Sequence, residues 1–285
     1  MIRAAILPDR AVVQAIGADV TTLLNDLLTV ELAKLGPSRA RHAALLTPQG
    51  KIAFEAFVIK DKEGFLFDIA ADRADAFVKR LDLYKLRADA RFAIVPDFEV
   101  AVAWGEETAS PDNPPGLAFR DPRLPALGWR IVASAHELTT WLEVSADEGT
   151  VEGYAAHRID LGVPEGGPDY GEDDFPHDAL FDQLNGVDFD KGCFVGQEVV
   201  SRMKHRGTAR RRLVPVDVEG DAQAGDDVTV AGRSVGTLRS LRDGQGLAML
   251  RIDRLPEDGT ALEAGAAKLT VRKPSWATFD LPGHP

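Results

Sequence analysis

The segment Lys191-Gly192-Cys193-Phe194-Val195-Gly196-Gln197-Glu198 carries the only cysteine of the chain, set between two glycines and close to a lysine. A thiol attacks, or ligates a metal, as its thiolate. Nearby cations and the free amides at a helix N-terminus stabilise that form. The apolar spacing of Val199, Val200 and Met203 predicts a helix over Gln197–His205, opened by Gln197 and Glu198. Cys193 then falls just before a helix N-terminus, with Lys191 as a supporting charge and Asp188 and Asp190 opposing it. Spacing alone leaves two readings open. One is a buried structural cysteine. The other is an exposed thiol on a loop whose glycines permit close approach to a ligand.

A second feature is the basic run at residues 202–212, which holds six Lys/Arg and no acid in a chain of formal charge −12. It reads either as a solvated helix face with its linker, or as a docking site for an anion such as an RNA backbone or an acidic partner. Arg202, Lys204 and Arg206 alternate at a spacing that does not form one helical face. Few aromatics are interleaved for base stacking. The acidic balance of the whole argues against broad nucleic-acid binding, so direct nucleic-acid contact is not expected. The six histidines show no metal-ligand spacing with the cysteine, and one cysteine cannot supply the four thiolates of an ordinary cluster site. No metal site is therefore expected in the isolated chain. Gly166-Gly167 and Gly171 follow no strand and make no dinucleotide fingerprint.

The elements that must position these groups can be read from periodicity. Residues 2–16 suggest two short strands around Pro8-Asp9-Arg10. Val20, Leu23, Leu24, Leu27 and Leu28 follow helical spacing, with Asp19 as N-cap. His42–Thr47 and Lys51–Ile59 read as a hairpin around Pro48-Gln49-Gly50, and Phe65–Ile69 as a further strand. Ala71–Arg87 reads as a helix, and Phe92–Val95 and Val100–Trp104 as strands. Residues 105–128, rich in Pro, Gly and Asp, read as a surface loop. Residues 134–160 are predicted helical, Gly162–Asp174 a loop, and 177–184 a short helix ending at Asn185-Gly186. From Leu213 onward, short apolar runs separated by Gly- and Asp-rich turns predict a small β-barrel. The domains expected are 1–104, 105–207 and 208–285.

With 285 residues and 45% hydrophobic composition, the chain can bury two or three cores. A lone cysteine excludes a disulfide-stapled secreted fold. The N-terminus reads as a strand rather than a signal peptide, and no apolar run is long enough to span a bilayer. A cytoplasmic protein is the expectation.

Lys-Gly-Cys-Phe-x-Gly-Gln-Glu resembles the signature of the YgfZ family of folate-binding proteins, which act in iron–sulfur protein maturation and are related to the glycine-cleavage T-protein. Further segments are similar to that family: His157–Pro164 (Arg-Ile-acid-x-Gly), Leu45–Ile52 (its N-terminal hairpin) and Gly232–Ser240 (its barrel pattern). The resemblance implies an α+β fold: a T-protein-like folate-binding body of ferredoxin-like sub-domains and antiparallel sheet, plus a C-terminal β-barrel. It implies tetrahydrofolate or another reduced folate as ligand. Cys193 becomes the functional thiol, supported by Lys191, Gln197 and Glu198, and a candidate ligand of a transient iron–sulfur cluster shared with a second molecule. Asp160 falls where the T-protein has its pterin-binding glutamate, in the segment that also holds Arg158. A carboxylate suits the N–H donors of a pterin edge. Glu55 falls near the T-protein's catalytic aspartate, although as a residue it reads better as an outward-facing strand position. Arg202 belongs to the run that would meet a folate glutamate tail.

Three functions follow from this reading. The first is an accessory factor for assembly or repair of iron–sulfur clusters, working with assembly proteins or client enzymes and affecting tRNA modification only indirectly. The second is a folate-dependent aminomethyl or one-carbon transferase. The third is an RNA or tRNA-modification adaptor.

Overall fold

The computed structural model describes residues 2–37, 39–105, 110–145, 147–207 and 209–283. The chain divides into two compact units. One comprises residues up to Tyr154 together with Leu184–Gln197, and the other Ala155–Gln183 with Glu198 onward.

The first unit holds β1 (Ile2–Ile6), β2 (Arg10–Ile16), α1 (Val20–Leu27), β3 (Ala40–Leu46), β4 (Ile52–Lys60), β5 (Gly64–Ala70), α2 (Ala74–Lys85), β6 (Arg91–Ile94), β7 (Phe98–Gly105), β8 (Leu117–Arg120), β9 (Trp129–Ser134), α3 (Ala135–Ser145) and β10 (Asp147–Glu148). One sheet runs β3-β4-β5-β2-β6, all antiparallel, and the other β10-β1-β7-β9-β8, antiparallel apart from the β1–β10 pair. Alternation along the strands decides the layering. On β4, Phe57 and Ile59 face a core shared with Val100, Val102 and Trp104 of β7, while Phe54, Ala56 and Val58 face a second core with Leu24, Leu27, Phe77 and Leu81 of α1 and α2. Ala101 and Ala103 of β7 face α3 through Leu138 and Trp141. Strands covered on both faces read as continuous apolar runs, which is what β4 and β7 are.

The second unit takes in most of α4 (Val151–Asp160) and of α5 (Gln197–Arg206), and then β11 (Arg211–Glu219), β12 (Asp227–Val230), β13 (Arg233–Arg242), β14 (Gln245–Arg251), β15 (Leu262–Ala264) and β16 (Ala267–Val271). These six strands close into a barrel, β11-β14-β13-β12-β15-β16, around Val214, Val216, Leu238, Leu250 and Leu269. The segment 155–183 is fixed to it. Arg212 pairs with Asp182 at 2.5 Å, Leu213 N–H donates to Asp178 O, and Trp276 Nε1 donates to Leu161 O.

Several expectations are corrected here. The division expected at 104/105 is crossed by hydrogen bonds, because β7 pairs with β1 and β9. Residues 105–128 contain β8, whose four residues carry too little alternation to signal a strand; within that range 106–109 lie outside the described residues. Residues 134–160 are two helices separated by β10 rather than one helical stretch, with Ala146 outside the described residues. Residues 177–184 form turns, not a helix. Strand β15 was not foreseen. The first barrel strand begins at Arg211, while the boundary expected at 207/208 falls within the second unit, which runs on from Glu198; Thr208 lies outside the described residues.

Candidate functional site

Cys193 is exposed. Its loop is held from both sides, and each hold has a physical cause. Phe194 is buried, and Val195 packs against the core beneath α1 and α2. Gln197 N–H donates to Phe194 O, closing a turn whose third residue, Gly196, has φ +80°. A turn of that kind takes glycine at this position. A side chain at Gly196 would place its Cβ 2.6 Å from Thr47 O, so the loop meets the β3–β4 turn at backbone distance. The expected permissive role of the glycines is thus divided. Gly196 serves packing against Thr47, while Gly192 has open space around it.

Lys191 does not turn towards the thiol. Its Nζ donates to Asn25 O at 2.6 Å, Leu28 O at 2.6 Å and Val30 O at 3.1 Å, and lies over the Phe194 ring. Burial pulls its ammonium down to about 8, with Glu31, Asp188 and Asp26 pulling the other way. The preceding residues continue the attachment. Thr29 Oγ1 donates to Gly186 O at 2.6 Å and accepts from Ala44 N–H, Asp188 N–H donates to Thr29 O, and the Asp188 carboxylate accepts from Glu31 N–H and from Arg41. No local sequence signal singled out Thr29 or Arg41, and Asp188 was read only as a charge opposing the thiol, since each holds the loop through partners far away in the chain. Helix α5 begins only at Gln197, so Cys193 lies outside its first turn; Gln197 is half-buried and Glu198 exposed.

Glu55 is not outward-facing. Its side chain is 7% exposed, and its Oε1 lies 2.8 Å from His42 Nε2. Burial pushes this carboxyl up, but the His42 hydrogen bond and charge, with Arg10 and Arg123, outweigh it and hold the group below the usual carboxylate range. Close by is an ion network the sequence did not announce. Arg10 and Arg130 both pair with Asp68, Arg123 pairs with Asp121, and all three guanidinium groups lie within 5.8 Å of the Phe57 ring centre.

In the second unit Arg158 is buried, donating to Asp169 at 2.6 Å and to Val163 O, and pairing with Glu165 at 3.1 Å. Asp169 also accepts from Ser240 Oγ and Glu165 N–H. Burial outweighs these partners and raises it above the usual range. Asp160, at the end of α4, is exposed, accepts from Gln245 at 3.0 Å and has Arg272 at 3.6 Å. Arg202 is exposed on α5. Of the residues expected to hold folate, Glu55 and Arg158 are paired inside the protein, with His42 and with Asp169 and Glu165, whereas Asp160 and Arg202 are open to solvent. Among the described residues no helix is long and apolar enough to cross a membrane.

Residues 210–279 match the family described as CAF17, C-terminal beta-barrel domain. The chain is 33% identical over 227 residues to a protein of Mycosarcoma maydis named iron–sulfur cluster assembly factor IBA57 homolog, mitochondrial. That alignment covers 74% of this chain and 56% of the relative, so the chain spans little more than half of that relative's length. The Mus musculus protein named iron–sulfur cluster assembly factor IBA57, mitochondrial, is 29% identical over 95% of this chain and 84% of its own. Among solved structures, the glycine cleavage system aminomethyltransferase T of Bartonella henselae superposes with TM-score 0.80 at 16% identity, covering 97% of this chain and 86% of that one. The expected T-protein-like fold with a C-terminal barrel is thereby established. The cytoplasmic expectation is overturned: the relatives are named as mitochondrial and point to that compartment instead. A lone cysteine excludes an internal disulfide and names no compartment, which is why composition could not make the distinction.

Proposed function

We propose that this chain is an iron–sulfur cluster assembly factor of the IBA57 and YgfZ kind whose working group is the Cys193 thiol. The observation that carries the reading is the exposure of the only thiol of the chain on a loop fixed at both ends, in a chain related to proteins named as such factors. One thiolate completes only part of a cluster's ligand set. The cluster is therefore cargo, shared with an assembly protein, a client or a second copy of the chain. Effects on tRNA modification follow indirectly, through iron–sulfur enzymes that modify tRNA. A reduced folate such as tetrahydrofolate is the proposed ligand. The T-protein-like fold and the exposed Asp160 carboxylate support it, and Arg202 is the cation offered to a glutamate tail. Glu55 and Arg158 have no contact role in this reading, and no chemical step is assigned to the folate.

In cells lacking the chain, wild type is expected to restore iron–sulfur enzyme activities and Cys193→Ala to fail at equal protein level. Full restoration by Cys193→Ala would refute the thiol's role. Aminomethyl transfer is the second reading, favoured by the fold. Detectable transfer to tetrahydrofolate that survives Cys193→Ala would replace the first reading with it.

A further inference from the structure

Helix α1 ends at Leu27 with no basic residue in its last turn. Leu28 N–H still closes onto Leu24 O at 2.9 Å, but Thr29 N–H leaves the helix and donates to Ala44 O at 3.0 Å. Asn25 O thus loses the i+4 donor that would continue the helix, and Leu28 O and Val30 O lie beyond its end. Such carbonyls must be satisfied from elsewhere when buried. Lys191 reaches all three, at 2.6, 2.6 and 3.1 Å. An ammonium has three protons, which match three converging carbonyls, and a cation suits the negative end of a helix dipole.

We propose that Lys191 is a positioning residue for Cys193: it caps α1 from a remote part of the chain and thereby fixes the backbone on which the thiol stands. The inference rests on Cys193 being the working thiol. It departs from the motif's own suggestion that the lysine acts on the thiol through its charge. The two roles separate chemically. A planar guanidinium keeps the charge but cannot direct three donors from a single nitrogen to three carbonyls as an ammonium does.

The experiment compares Lys191→Arg and Lys191→Met with wild type. Amide hydrogen exchange is followed in peptides covering residues 187–197, with β4 and β5 amides as the control for global loosening. Cys193 labelling by a maleimide is followed from pH 6 to 9. Restoration of iron–sulfur enzyme activities is measured in cells lacking the chain. Positioning predicts about tenfold faster exchange in the 187–197 peptides of both variants with β4 and β5 unchanged. It also predicts an unmoved labelling pH profile and loss of restoration in both. Wild-type behaviour of Lys191→Arg, with a labelling profile shifted upward in Lys191→Met alone, would overturn it in favour of charge. Unchanged exchange in both folded variants would overturn it outright. If Lys191→Met fails to fold, Lys191→Arg decides by the same exchange measurement. Full restoration by Cys193→Ala refutes the thiol's role but leaves the exchange result to judge the clamp by itself.

Discussion

His42 and Glu55 sit on adjacent strands, two residues out of direct register, and pair at 2.8 Å with both side chains almost wholly buried. Removing one partner of such a pair leaves the other uncompensated. Glu55→Gln is expected to cost about 3 kcal/mol in urea unfolding at pH 7. The Glu55 carboxyl titrates below its ordinary value, so the stability it contributes is present above about pH 4.5 and is lost as pH falls further. The variant should therefore show a flatter acid limb than wild type. An equally steep limb would show that Glu55 is not the group responsible.

The two glycines beside the thiol should respond differently. Gly196→Ala sets a Cβ 2.6 Å from Thr47 O at φ +80°, and a loss of about 2 kcal/mol is expected. Gly192→Ala meets open space and should stay within about 0.5 kcal/mol of wild type. Equal melting of the two variants would contradict the packing role assigned to Gly196.

Arg158 and Asp160 separate structure from ligand. Arg158→Met breaks a buried pair with Asp169 and should lower stability by about 3 kcal/mol or more. Asp160→Asn alters an exposed carboxylate and should leave stability within about 0.5 kcal/mol. If Asp160 holds a folate, calorimetry should find tetrahydrofolate weakened about tenfold by Asp160→Asn, as loss of a charged hydrogen bond implies. Unchanged affinity would remove Asp160 from the proposed contact.

A pH dependence is expected from two neighbours with opposite shifts. Burial, with Asp174 adding to it, raises Asp178 to about 6 against Arg211, the Phe175 amide and Arg212. Burial lowers His177 to about 4, opposed by Asp182. The folded state takes up the Asp178 proton before the unfolded state does, so this group destabilises at neutral pH and stops doing so as pH falls from about 6 to about 4. His177 acts in the other direction, weakening the fold as pH falls from about 6.5 towards about 4. Asp178→Asn should gain up to about 3 kcal/mol at pH 8 and less than about 1 kcal/mol at pH 4. Urea midpoints at the two pH values test this, and no gain at pH 8 would refute it.

Much of this was legible in the chain. Local periodicity located α1, the hairpin of β3 and β4, and five of the barrel strands, because each presents one face to a core. The helix after the motif was legible for the same reason. Strand β8, strand β15 and the turns at 177–184 were not. Strands that short carry little pattern of their own, and those turns are held by Arg212 and Leu213 from the barrel. At the site, the motif named Cys193 but misdirected Lys191. A lysine close to a thiol in sequence suggests an electrostatic neighbour, and only the folded chain reveals that Asn25, Leu28 and Val30 offer it better partners.

The sequence by itself determined which residue types were available: one thiol, a lysine beside it, glycines that allow a tight turn, and strands apolar on one or both faces. Those are local properties, set by side-chain chemistry and backbone freedom. Tertiary structure alone decided which of these groups face solvent and which are committed inward. The resemblance offers Glu55 and Arg158 as ligand-binding charges, yet the fold pairs them with His42 and Asp169, because a buried charge must find a counter-charge. Cys193 stays exposed because the loop around it is held by its neighbours, through Lys191 on the end of α1 and Gly196 against Thr47.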